Sequence, residues 1–245
     1  MQKICIVVPC YNEETRLDTA AFMQFMQEDR EICFCFVNDG SADKTIDVLN
    51  GMKAMQPDRV LVVDQQPNQG KSEAVRAGVL QSIKWKAFTQ IGFWDADLST
   101  PLEEIPFMAR AMNERKGCQL AMGSRIKRLG SVIDRSAYRH IQGRFFMTLL
   151  NTMSKLSVYD SQCGAKLFTP EVAAHAFNQP FLTKWLFDVE LIARVTNHFH
   201  QKPTVCILEV PLNTWKEVRG SKLSLRHMLG VPFDLIKINR KYNFN

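Results

Sequence analysis

"IGFWDADLSTP", residues 91–101, joins an apolar run to two carboxylates one residue apart, followed by a Ser-Thr-Pro turn signal. An apolar run of this length bounded by turn residues reads as a buried strand, here "FTQIGFW" at 88–94. Pro101 is a favoured first-turn residue, so a helix is expected from there to about Arg115. The same strand-then-helix pattern precedes it three times. "KICIVVP" at 3–9 leads to helical spacing over 15–27, "ICFCFV" at 32–37 to a helix over 43–55, and "RVLVVD" at 59–64 to a helix over 70–84. "CQLAMGSR" at 118–125 supplies a fifth strand. Strands alternating with helices imply a single α/β domain with a mainly parallel central sheet and helices on both faces. In such sheets ligands bind beyond the strand C-termini, so the loops after each strand carry the functional information.

Beyond Gly130 the pattern weakens. "SVIDRSAYRHIQGRFFMTLLNTMSKLSVYD" reads as one or two helices with a basic face, "CGAKLFTP" as a strand entering a helix, and "FDVELIARVTNHF" at 187–199 as an amphipathic helix. "TVCILEVPL" at 204–212 reads as a strand, and 223–242 as a basic helical segment interrupted by Gly230 and Pro232.

The chain has 245 residues and 46% apolar composition, enough for a full core. Its 31 Lys+Arg against 25 Asp+Glu give a net charge of +6, which favours anionic partners or is a solvated basic face. No recognisable nucleic-acid reading module accompanies that charge, so no nucleic-acid partner is expected. No uncharged apolar run of about 18 residues occurs, and an acidic pair lies close to the N-terminus; a cytoplasmic chain, soluble or peripheral to a membrane, is expected. The seven cysteines show no CxxC spacing and read as reduced core residues.

The loops are "PCYNEE", "NDGSADKT", "QQPNQGKSEA" and "DADLSTP". The fold brings Glu13, Asn38, Asp39, Lys71, Asp95 and Asp97 towards one crevice. Turn chemistry and helix capping, with Ser99 or Thr100 at the helix start, account for many of these residues, but capping needs only one acid per helix. In an extended "DAD" the two side chains project to the same side, about 7 Å apart at the Cα atoms, where they can share one cation. Oxygen ligands beside a diphosphate suit Mg or Mn. "NQGKS" is not a P-loop, because Gln65 stands where that motif needs glycine. Lys71, at a helix start, can meet a nucleotide phosphate or stand as a solvated lysine. No GxGxxG follows the first strand.

Taken together, "VVPCYNEE", "VNDGSADKT", "NQGKSEAVRAG", "DADLSTP", "GSR", "DSQCGAKLF", "WLFDVEL" and "EVPLNTWKEVRGSKL" resemble family-two glycosyltransferases of the GT-A fold, and among these the dolichyl-phosphate glucosyltransferase branch. The resemblance implies an inverting, metal-dependent hexosyltransferase acting on a nucleoside-diphosphate sugar. It implies Pro9, Tyr11, Glu13 and Asp39 around base and ribose, Asp95 and Asp97 at the metal and diphosphate, and Lys222 near the diphosphate. It further implies Arg125 and Arg139 on the phosphate of a polyprenyl acceptor. Residues 1–123 would form the donor half, 124–222 the acceptor half and 223–245 a basic tail. Where the family shows two acids, this chain has Asn38-Asp39; a side-chain amide still hydrogen-bonds a base edge.

A phosphate acceptor is already anionic, so its attack needs positioning and cations rather than a strong base. Residues 124–144 carry six Arg or Lys against one acid. If the acceptor were a hydroxyl, a base would be required. Asp188 and Glu190 are the candidates, each equally readable as a structural acid near a helix N-terminus. "RSAYRHIQGRFFMTLL" and the tail mix bases with large apolar residues, as interfacial helices do, or as core-packing helices do.

Overall fold

The computed structural model describes residues 3–134, 151, 158–199, 206–218 and 225–242. They group into two compact units, residues 1–98 with 164–180 and residues 99–163 with 181–245.

In the first unit, β1 (Ile4–Cys10), β2 (Ile32–Asp39), β3 (Val60–Gln65), β4 (Gln90–Trp94) and β7 (Ala165–Phe168) run in the order β3-β2-β1-β4-β7. All pairs are parallel except β4 with β7. Every residue of β2 is buried, as a strand covered on both faces must be. The pleat sorts its side chains. Phe34 and Phe36 project to one face, where Phe22 of α1 (Thr19–Glu28) meets both rings at 5.1 Å. Full burial of such a ring contributes about 1.5–3 kcal/mol. Cys35 and Val37 project to the other face, against α3 (Lys71–Trp85). There a Cβ on Gly78 would lie 2.3 Å from Val7 Cγ1, and the Cys35 thiol reaches the Gly78 carbonyl. Helices therefore cover both faces of this sheet, as expected. α2 (Thr45–Met55) and α5 (Pro170–Ala176) complete the unit.

In the second unit, β5 (Leu120–Ser124) pairs in parallel with β8 (Ile207–Pro211), and β6 (Val132–Asp134) with β9 (Thr214–Lys216). α4 (Glu104–Glu114), α6 (Phe187–Phe199) and α7 (Leu225–Tyr242) belong here. Buried Glu104 accepts the backbone N–H groups of Asn213 (3.0 Å) and Thr214 (2.8 Å), which fixes the start of β9.

Three expectations change. α4 begins at Glu104 with Glu103 as its N-cap, so Ser99 and Thr100 lie before the helix start rather than at it. Residues 132–134 are a strand, not helix. α7 runs through Pro232 without interruption, held by the buried Val231, Leu235 and Ile238 on one side. The other residues of the basic stretch, 135–144, lie outside the described residues.

The seven cysteines are buried thiols, not disulfides. Burial pushes the Cys35 thiol up to about 12, so it stays protonated and unreactive at neutral pH.

Candidate functional site

Four loops and the entry to β7 are bound to one another at the C-terminal ends of the first unit's parallel strands. The loop after β1 is laced to the loop after β2. Asn12 N–H donates to Ser41 Oγ (3.0 Å), Ala42 N–H to Asn12 Oδ1 (2.8 Å), and Glu13 N–H to Thr45 Oγ1 (2.8 Å). Asp39, at the end of β2, holds the loop after β3. Its carboxylate accepts from Asn68 Nδ2 (3.0 Å), Gln69 N–H (2.8 Å) and Gly70 N–H (2.8 Å). Gly70 has φ +95°, which favours glycine at the start of α3. The next residue, Lys71, places its ammonium on Asp95 Oδ1. Asp95 in turn packs on the β7 side: a Cβ at Gly164 would lie 1.9 Å from Asp95 Oδ2. Any side chain there would displace the carboxylate, which gives "CGAKLF" its glycine.

The "DAD" segment is not extended. Leu98 N–H donates to the Asp95 carbonyl (3.3 Å), closing a turn with Ala96 and Asp97 at its centre, and Leu98 adopts φ +51°. A left-handed leucine costs on the order of 1–3 kcal/mol, and such strain collects where a backbone must aim functional groups. The turn leaves both acids half-buried on the wall of one cavity of about 300 Å³. Pro9, Tyr11, Glu13, Asp39 and Lys71 line the same cavity, together with Arg16 and Asn68. Asn38 does not line it; its amide donates to Asp64 Oδ1 (2.7 Å).

The cavity is lined by four carboxylates, Glu13, Asp39, Asp95 and Asp97, and two cationic side chains, Arg16 and Lys71. Glu13 is pushed above the usual carboxylate range, first by burial and then by the negative charges of Asp97 and Asp43, against the partial relief of Arg16. Arg16 Nε stands 3.5 Å from Glu13 Oε2, close enough for attraction but without hydrogen-bond geometry, so that buried oxygen has no hydrogen bond. Asp95 already holds an ammonium. No group of three or more His, Cys, Asp or Glu forms a protein-only metal cage among the described residues. Two carboxylates in an open cavity instead fit an Mg-like ion that completes its shell with water and substrate phosphates.

Folding takes up a proton at a carboxyl whose pKa is raised. The stability that Glu13 contributes is present below the usual carboxylate range and is lost as pH rises through its raised value. Glu13→Gln is therefore expected to raise the thermal midpoint at pH 7.5, by about 2–4 °C for each kcal/mol relieved, and to leave it unchanged at pH 4. Equal midpoints for variant and wild type at pH 7.5 would contradict this charge assignment.

The model of the family described as "Glycosyl transferase family 2" matches residues 5–177, which include every residue lining the cavity. The chain belongs to glycosyl transferase family 2. Among its relatives, the dolichyl-phosphate beta-glucosyltransferase of Homo sapiens is 31% identical, covering 98% of this chain and 76% of its own. The Mus musculus protein of the same name is 32% identical over the same shares, and that of Dictyostelium discoideum 29% identical over 98% and 74%. Glucosyl-3-phosphoglycerate synthase from Mycobacterium tuberculosis, solved with Mn2+, uridine diphosphate and phosphoglyceric acid, superposes with a TM-score of 0.71. At 15% identity over 98% of this chain and 78% of that one, it shows a shared fold.

In this family 2 glycosyltransferase the second unit holds two further named residues. Arg125, at the end of β5, forms a two-point ion pair with Asp160 (Nε–Oδ2 2.6 Å, Nη2–Oδ1 2.7 Å) and stands 5.3 Å from the Trp215 ring. Asp160 is itself oriented from β8, since Glu209 accepts its N–H (2.8 Å). The two-point pair fixes the plane of the guanidinium. Asp188 is buried in the first turn of α6. Its neighbour Glu190 accepts from Leu182 N–H (2.8 Å), Arg194 Nη2 (2.8 Å) and the Tyr242 hydroxyl (2.9 Å), which makes it a structural anchor. Arg139 and Lys222 lie outside the described residues. The Lys71–Asp95 pair and the close approach of Gly164 to Asp95 are not legible in the sequence. Both join residues far apart in the chain, and only the glycine in "CGAKLF" signalled a close approach.

Proposed function

We propose that the chain transfers glucose, with inversion, from a nucleoside-diphosphate donor to a polyprenyl or dolichyl phosphate. The observation that carries the reading is the cavity at the strand ends, where Asp95 and Asp97 share one turn and Asp95 is already charge-paired with Lys71. Support comes from relatives about 30% identical over nearly the whole chain and named as dolichyl-phosphate beta-glucosyltransferases. Structures of the same fold are described with Mn2+ and UDP-glucose.

Asp95 and Asp97 would hold Mg or Mn, which neutralises charge on the leaving nucleoside diphosphate. Pro9, Tyr11, Glu13 and Asp39 line the base and ribose side. Asp39 orders the 68–70 loop there through its three hydrogen bonds. Lys71, paired with Asp95 at the cavity wall, would meet a diphosphate oxygen, and Lys222 would add charge at the same group. Arg125 and Arg139 bind the acceptor phosphate, where a planar guanidinium grips two oxygens. That phosphate is the nucleophile and is anionic without help, so Asp188 has no proton to take and serves the fold. Residues 1–123 carry the donor side and 124–222 the acceptor side. The enzyme works at the cytoplasmic face of a membrane. Among the described residues no helix is long and apolar enough to cross one.

Incubation with UDP-glucose and polyprenyl phosphate is expected to yield an organic-extractable glucolipid, and free sugars or glycans are expected to yield nothing. A product on free sugars but not on the lipid phosphate would overturn the acceptor assignment.

A further inference from the structure

Helix α7 has two dissimilar faces. Val231, Leu235 and Ile238 are buried. Its C-terminal end is clamped to α6: the Tyr242 hydroxyl donates to Glu190 Oε1 (2.9 Å), Arg194 Nε donates to the Tyr242 hydroxyl (3.1 Å), and Asn197 Nδ2 donates to the Tyr242 carbonyl (2.6 Å). These hydrogen bonds anchor the end of the helix. On the opposite side Phe233 is 69% exposed and Ile236 is 41% exposed, and Lys237, Arg240 and Lys241 are exposed as well. At about 100° per residue these five side chains fall in one stripe opposite the buried three. The one acid bordering the stripe, Asp234, lies 3.9 Å from Lys237, and the Lys241 ammonium stands 5.5 Å from the Tyr242 ring.

A phenylalanine and an isoleucine facing water beside three bases form the pattern of a helix lying in a lipid headgroup layer. We propose that this stripe of α7 docks on an anionic lipid surface, with Phe233 and Ile236 entering between headgroups and Lys237, Arg240 and Lys241 facing lipid phosphates. The charge complementarity is with lipid phosphate, and the proposed acceptor is itself a lipid phosphate; the inference rests on that reading only for its purpose. Because α7 is already folded and clamped, docking adds no helix, unlike the binding of a free amphipathic peptide.

The test sediments the full chain with vesicles of phosphatidylcholine alone or mixed with phosphatidylglycerol. Wild type is expected to bind the mixed vesicles, to be released by salt and to keep its far-UV circular dichroism unchanged. Phe233→Ser/Ile236→Ser and Lys237→Gln/Arg240→Gln/Lys241→Gln are each expected to lose about tenfold or more in partitioning. Both should retain turnover on a water-soluble short-chain prenyl phosphate. Equal binding of variants and wild type would overturn the proposal. A lowered sedimentation coefficient of either variant without vesicles would overturn it too, by making the face a contact between copies. Absence of turnover by wild type on the short acceptor would instead contradict the acceptor reading and leave the vesicle result standing.

Discussion

Asp97→Ala is expected to lower kcat/KM for glycosyl transfer by about 10²–10³-fold or more, the scale seen when a preorganised electrostatic contact to a reacting group is lost. The fold should survive, because Asp97 is half-buried in a turn at the cavity wall and is not in the core. Losing Asp97 also removes one of the negative charges that push Glu13 up, which favours the folded state slightly. Asp97 is the sharper target of the pair, since removing Asp95 would also strand the Lys71 ammonium. Asp97→Asn keeps the shape without the charge and should lose as much rate as alanine. Near-wild-type turnover by the asparagine variant, in steady-state kinetics with saturating metal, would remove Asp97 from the cation site.

The second large effect is on stability. Glu190 is completely buried, and Arg194, its partner, is nearly so. Glu190→Ala leaves that guanidinium without its carboxylate and takes one partner from Tyr242 and from Leu182 N–H. Breaking one side of a buried ion pair costs about 3–5 kcal/mol. For a chain of this size that corresponds to a fall in thermal midpoint on the order of 10 °C. Converting both members to apolar residues, Glu190→Leu with Arg194→Met, should recover most of the loss, since the desolvation of two charges disappears with them. The protein that remains folded should keep its kcat. If Glu190 were a catalytic base, the alanine variant would show the opposite result, a collapsed kcat with an unchanged midpoint.

The alternation of strands and helices was legible because each parallel strand of the first unit is an apolar run and each helix carries a periodic stripe. That alternation also implied the parallel pairs, but the direction of β7 was not legible, because apolar content does not encode it; "AKLF" reads the same whether it runs parallel or, as here, antiparallel to β4. β6 and β9 span three residues each, too few for a period to show. Asp95 and Asp97 were found by their place at a strand end, and their sharing of one cavity wall follows from the turn at Leu98 rather than from an extended "DAD". Pro232 argued for a broken helix, yet the burial of Val231, Leu235 and Ile238 outweighs the one backbone bond a proline removes. Asp39 was legible as a loop acid at a strand end, and it lines the cavity. Its hydrogen bonds to the 68–70 loop are long-range contacts that spacing along the chain does not reveal.

The most direct test of a metal-dependent transfer to lipid phosphate is the glucolipid formed from UDP-glucose and polyprenyl phosphate, measured with Mn2+ or Mg2+ and again after chelation with EDTA. Product that appears with the cation, vanishes on chelation and returns when the ion is restored is the result predicted. Product formed equally with and without the cation, or no glucolipid under either condition, would contradict it.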